Sequence, residues 1–95
     1  MANYKLSNEA RDDLIRIYRY GAEKFGVKQA DKYFFSFFDH FEMISKRPLS
    51  YESVDYIKPG YRRCVCGVDS IYFRVMNENI EIMAIIGRQD IKMII

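Results

Sequence analysis

The side chains able to carry chemistry in this sequence are few, and their spacing does not assemble them. His40 is the single histidine. Its acidic neighbours Asp39 and Glu42 stand at i−1 and i+2, positions that do not face it on a helix, so a carboxylate-oriented general base is not expected there. Asp12 and Asp13 are adjacent and splay apart, which argues against a paired acid/base site. Cys64 and Cys66 share a face if their segment is a strand. Two thiols and one distant imidazole fall short of the four ligands of a structural zinc site, so the pair reads as packed or half-exposed thiols. There is no Ser-His-Asp arrangement, and the stretch from Gly60 to Gly67 is too strand-like to cradle a phosphate. No metal or cofactor is expected. Basic residues are better placed: Lys58, Arg62, Arg63, Arg74 and Arg88 form either a patch suited to phosphate or an acidic protein surface, or a solvated sheet rim, and strand register decides between them.

The elements that would position these residues follow from periodicity. Asn3 to Ser7 alternates as a short strand, with Ser7 standing where a helix N-cap belongs. Ala10, Leu14, Ile17, Tyr18, Ala22 and Phe25 then recur at helical spacing, with Arg11, Asp12, Asp13, Arg16 and Arg19 on the opposite face. Gly26 stops that helix. The pattern resumes from Lys28 through Ala30, Tyr33, Phe34, Phe37, Phe38, Phe41 and Ile44 until Pro48 forbids continuation. Residues 48–60 read as polar and irregular, ending in the turn signal Lys58-Pro59-Gly60. Period two follows over Tyr61–Cys66 and Ile71–Met76, and Asn77-Glu78-Asn79 connects to a last strand, Ile80–Ile86. That strand is apolar on both faces from Met83 onward, as a strand inside a sheet would be. Ile91, Met93, Ile94 and Ile95 form an apolar tail. The expected fold is a single α+β domain over residues 1–95: an N-terminal strand, a helical hairpin, then a three-strand antiparallel meander with the hairpin on one face.

The 95 residues carry 15 Lys+Arg against 13 Asp+Glu, a formal net charge of +2. That is too little for the electrostatic footprint of a strongly basic nucleic-acid binder, so direct sequence-specific nucleic-acid binding is not expected. No run approaches the ~18 apolar residues of a membrane span, and charges at Lys5, Glu9, Arg11, Asp12, Asp13 and Arg16 break any secretory leader. Cytoplasmic residence, with no membrane partner, is the expectation. The second helix carries an apolar surplus. At ~100° per residue, Tyr33, Phe34, Phe35, Phe37, Phe38 and Phe41 spread over about 200°, more than one sheet covers. Either the neighbouring helix takes up the rest, or an aromatic edge is left to meet a partner.

Four stretches together give the chain a family resemblance. They are Tyr4-Lys5-Leu6-Ser7 leading into Glu9-Ala10 and Asp13-Leu14; Gln29-Ala30-Asp31-Lys32-Tyr33; Lys58-Pro59-Gly60-Tyr61-Arg62-Arg63; and Ile71-Tyr72-Phe73-Arg74-Val75 followed by Glu81-Ile82 and Ile86-Gly87-Arg88-Gln89-Asp90. In order and spacing they resemble the ParE branch of the RelE/ParE toxin superfamily over nearly the whole chain. The resemblance implies a toxin of a type II toxin-antitoxin module. Such a toxin inhibits DNA gyrase by binding it and holding the enzyme with its DNA cleaved, as a binder and not a catalyst, and is neutralised by a cognate ParD-like antitoxin whose disordered segment folds onto it.

Under that implication the gyrase-facing surface is expected at Arg62 and Arg63 and along the tail at Arg88, Asp90, Ile91 and Lys92. The antitoxin is expected on the hairpin aromatics Tyr18, Tyr33 and Phe37 and along an open sheet edge. The RelE branch, ribosome-dependent mRNA endonucleases on the same fold, is the alternative. Aligned by strands, this chain has Ser70 and Gln89 where that branch would place arginines, Ile95 near its tail tyrosine, and Arg88 one position off.

Overall fold

The structure, a computed structural model, describes residues 3–87. Its elements run β1 (Tyr4–Leu6), α1 (Asn8–Phe25), α2 (Val27–Lys46), a 3-10 turn (Pro48–Ser50), β2 (Glu52–Ser53), β3 (Tyr61–Cys66), β4 (Asp69–Val75) and β5 (Ile80–Gly87). The five strands order as β1-β5-β4-β3-β2, antiparallel throughout except that β1 runs parallel to β5. The expected α+β arrangement of strand, helical hairpin and meander is present, and one element adds to it. β2, two residues within the stretch expected to be irregular, pairs Glu52 with Arg63 and Ser53 with Arg62. Two residues carry no readable period, so this strand is set by its neighbour and not by its own pattern.

Local chemistry explains the helix ends. The Ser7 hydroxyl oxygen accepts from the Ala10 amide at 3.0 Å and the same hydroxyl donates to the Met83 carbonyl at 2.9 Å, so one side chain caps α1 and fastens it to β5. Gly26 separates the two helices with φ +94°, a conformation any Cβ would strain, and its N–H caps α1 on the Ala22 carbonyl.

The core lies between the hairpin and the sheet. Ala10 and Leu14 of α1 and Phe37, Phe41 and Ile44 of α2 pack on Cys64, Cys66, Ile71, Phe73, Ile80, Ile82 and Ile85. A second, smaller core on the opposite sheet face contains Val54, Tyr61, Tyr72, Ala84 and Ile86. The stretch after β2 therefore does more than connect. Its backbone turns over that face, with Val54 N–H on the Tyr61 carbonyl at 2.8 Å and the Val54 carbonyl accepting from Ile57 and Lys58. The hairpin lies on one sheet face as expected, and this stretch covers part of the other, where Val54 is buried.

The doubly apolar end of β5 has two causes. One is this second core. The other is a bulge: pairing steps from Tyr72–Ala84 to Phe73–Ile82, leaving Met83 over and turning both Ile82 and Ile85 toward the helices. Where β1 ends, α1 takes over the edge of β5. Asp13 Oδ2 accepts from Ile85 N–H at 2.9 Å and Arg16 donates to the Ile85 carbonyl at 3.2 Å, satisfying backbone groups that would otherwise face an open side.

Candidate functional site

The hairpin packs its inner stripe into the core and leaves a groove on the outer side between its helices. Ile15, Tyr18 and Arg19 line it from α1, and Asp31, Phe34 and Phe35 from α2. Helical spacing puts 15, 18 and 19 on one side of α1 and 31, 34 and 35 on one side of α2, so the two lips are continuous. The floor is built from edge-on aromatics. Tyr18 meets Phe34 at 5.6 Å between centroids and 80°, and Phe34 in turn meets Phe35 at 5.6 Å and Phe38 at 5.2 Å. The Tyr18 hydroxyl donates to Asp31 Oδ1 at 2.7 Å, joining the lips. That bond is the main reason its phenol is held above the ordinary tyrosine value. Ile15 is 51% and Phe35 64% exposed, large apolar side chains facing solvent from a rigid floor. Such a strip suits an apolar partner segment.

The residues expected to meet an antitoxin divide. Tyr18 lies in the groove. Tyr33 is partly buried and turned inward: its single hydroxyl proton is shared between the Asp69 carboxylate at 2.9 Å and the Cys66 carbonyl at 2.8 Å. Burial first, then the Asp69 hydrogen bond, drives its pKa far up. Phe37 is corrected. It is fully buried, edge-on to Tyr33 at 4.9 Å, and offers nothing to a partner. Sequence reasoning passed over Ile15, Arg19, Asp31 and Phe35 as site residues. The signal available was Ile15 itself, an apolar residue stranded on the charged face of α1, and Phe35, outside the inner stripe of α2.

Of the two arrangements left open for the basic residues, the described ones, Lys58, Arg62, Arg63 and Arg74, do not gather into one patch. Consecutive strand positions point to opposite faces. Arg62, paired with Phe73, is on the helix side and donates to the Tyr51 carbonyl at 2.7 Å, whereas Arg63, paired with Tyr72, is on the other and binds Glu52 at 3.0 Å. Arg74 is paired with Glu81 at 2.8 Å, and Lys58 lies over the Tyr61 ring at 5.6 Å. Arg88, Asp90, Ile91 and Lys92, the remainder of the expected gyrase-facing set, lie outside the described residues, as do Gln89 and Ile95.

The chemistry-bearing residues inside the fold are quiet. His40 Nδ1 lies 2.8 Å from the Ser36 carbonyl, which only a protonated Nδ1 can satisfy, and 3.6 Å from Cys66 Sγ. This nitrogen is thus a donor and not a base toward the thiol. Burial pushes the Cys64 thiol up to about 11 and raises that of Cys66, so neither is a thiolate at neutral pH. Among the described residues no group of three or more His, Cys, Asp or Glu is placed to hold a metal ion. No helix among them is long and apolar enough to cross a membrane. Part of the β3 edge is open among the described residues: β2 covers β3 only at Arg62 and Arg63, and Val65 farther along the strand is exposed.

The profile of the family described as "ParE toxin of type II toxin-antitoxin system, parDE" matches residues 4–91. Toxin ParE1 of Caulobacter vibrioides is 35% identical over 75 residues, covering 79% of this chain and 78% of that protein. Among solved structures, a chain described as belonging to the chromosomal ParDE TA system from P. aeruginosa superposes with a TM-score of 0.80 at 22% identity. It covers 92% of this chain and 96% of its own, a likeness of fold.

Proposed function

The chain belongs to the ParE toxin family of type II toxin-antitoxin systems, and on that footing we propose that it binds DNA gyrase, stabilises the cleaved-DNA complex and is neutralised by a cognate ParD-like antitoxin. The observation that carries this reading is the family match over residues 4–91, joined to a site whose chemistry is that of contact. Among the described residues an apolar groove opens on the outer face of the hairpin, while the thiols are protonated and His40 Nδ1 is spent on a backbone carbonyl. The antitoxin segment docks along this groove on Ile15, Tyr18, Phe34 and Phe35 and continues as an added strand at an open sheet edge. Folding on binding buries what the free toxin leaves exposed and stabilises the toxin by mass action.

The gyrase-facing surface is assigned to the segment from Arg88 to Lys92, with Arg62 and Arg63 supplying at most a flank. Both of these arginines are held by internal partners. A supercoiling assay with purified gyrase tests the proposal, run beside primer extension on translated mRNA. Loss of supercoiling without ribosomal A-site cuts supports a gyrase poison. Cuts at the A site with supercoiling intact would assign the chain to the endonuclease branch, and neither effect, with no slowing of growth on expression, would leave a fold that only binds antitoxin.

A further inference from the structure

The hairpin overhangs the sheet. Among the described residues its core contacts begin at Tyr33 on α2 and end at Ile17 on α1, and Tyr33 already meets the turn where β3 and β4 finish. Beyond that point the helices close on each other, and a Cβ at Gly21 would stand 3.5 Å from that of Ala30. At about 1.5 Å per residue, the stretch of α1 from Tyr18 to Phe25 carries the turn roughly 12 Å past the last core contact.

The projecting end is apolar at its point and basic around it. Every residue from Glu23 to Gln29 is exposed. Phe25 is 65% and Val27 60% exposed, one on each side of Gly26, and Tyr20 a little farther back is 60% exposed. Lys24 and Lys28 bracket the pair in the order Lys24-Phe25-Gly26-Val27-Lys28, and Lys24 Nζ lies 5.7 Å from the centre of the Tyr20 ring. Arg19 and Lys32 stand behind them. Against these bases are Glu23, beside Lys24, and Asp31, which accepts the Tyr18 hydroxyl; the first turn of α2 holds no acidic residue.

We propose that this turn is a membrane-surface contact, which places Phe25 and Val27 among the headgroups of an anionic phospholipid bilayer. Apolar side chains enter the boundary below the phosphates, while lysine ammonium groups stay level with them on their flexible stems. A protein partner suits the shape less well. A convex turn with two apolar side chains falls short of the ~800 Å² that each partner gives to a stable protein interface, whereas a fluid surface needs no matching contour. The contact is peripheral, weak and reversible, and salt weakens it. It departs from the expectation of no membrane partner, which rested on spanning and leader segments alone. It concerns the chain by itself and depends on neither the gyrase nor the antitoxin reading.

Cosedimentation of the purified chain with phosphatidylglycerol-phosphatidylcholine vesicles tests it. Half of the chain is expected on the vesicles at about millimolar accessible lipid, with binding at least about tenfold weaker on phosphatidylcholine alone. F25S/V27S and K24E/K28E each weaken binding to the anionic vesicles by about tenfold or more, and both fold, since all four side chains are exposed. K46E/R47E makes the same change of charge at the other end of α2 and costs less. The chain has no tryptophan, so F25W supplies a sole reporter whose emission should shift to the blue on anionic vesicles. A chain that stays in the supernatant at every lipid concentration overturns the proposal. So does binding indifferent to F25S/V27S, a loss in K46E/R47E equal to that in K24E/K28E, or bound F25W with unshifted emission.

Discussion

Tyr33 ties α2 to the turn between β3 and β4, and the turn is shaped to receive it. Gly67 adopts φ +61°, and a Cβ there would stand 2.8 Å from the Tyr33 hydroxyl oxygen. Both the backbone and the neighbour demand glycine. G67A is therefore expected to destabilise the fold by about 1–3 kcal/mol in denaturant unfolding, and Y33F by about 1 kcal/mol, with no rescue in the double variant because Tyr33 Cε1, also 2.8 Å from the Cβ position, keeps the clash. The buried thiol of Cys64 gives a pH signature of definite sign. Its pKa rises on folding from 9.0 to about 11, so the folded state holds this proton more tightly than the unfolded chain. The associated stabilisation is fully present below pH 9.0 and is lost as pH climbs toward about 11. C64A should flatten the alkaline loss of stability measured by unfolding at a series of pH values, and an unchanged slope would contradict the assignment. At neutral pH both thiols should resist alkylation until the protein is unfolded.

The elements differ in how much of them can be read from residue order. Both helices announce themselves through apolar recurrence and end at Gly26 and Pro48, and the meander is marked by alternation and turn residues; each sits where its pattern places it. The bulge at Met83 is not legible, since an apolar residue left over between Ala84 and Ile82 looks like any other strand position. Nor is the clamp that Asp13 and Arg16 place on Ile85, which joins residues 72 positions apart in the case of Asp13. The clamp carries a prediction. D13A leaves the Ile85 amide without its acceptor on the edge of β5 and should cost about 1–3 kcal/mol, with D13N recovering part of it. The groove was half legible. An aromatic surplus on α2 pointed to the hairpin, but which rings stay outside depends on how α2 sits on the sheet, where Phe37 is packed into the core and Phe35 is left exposed. Phe35 and Ile15 make no core contact to lose, so F35D and I15D should leave thermal stability nearly unchanged while weakening antitoxin binding tenfold or more in calorimetric titration. A fall in stability with intact binding would place the antitoxin elsewhere.

On the scale of the molecule, one hairpin braces a five-strand sheet from one side and turns a grooved apolar back outward from the other. The three arginines described on the sheet are occupied at home: Arg62 by a carbonyl, Arg63 and Arg74 by carboxylates. Alternation along β3 was enough to foresee that Arg62 and Arg63 diverge, whereas their partners depended on β2, a strand too short to show. The proposed function has this scaffold act by occupying another molecule's surface. The most direct measurement of that claim is the cleavage state of plasmid DNA after gyrase is incubated with micromolar chain and then stripped with detergent and protease. The account predicts linear DNA that appears only when chain and gyrase are both present, and that disappears when the cognate antitoxin is added first. Plasmid that stays uncleaved in that reaction, while messenger RNA is cut on ribosomes exposed to the same preparation, would contradict it.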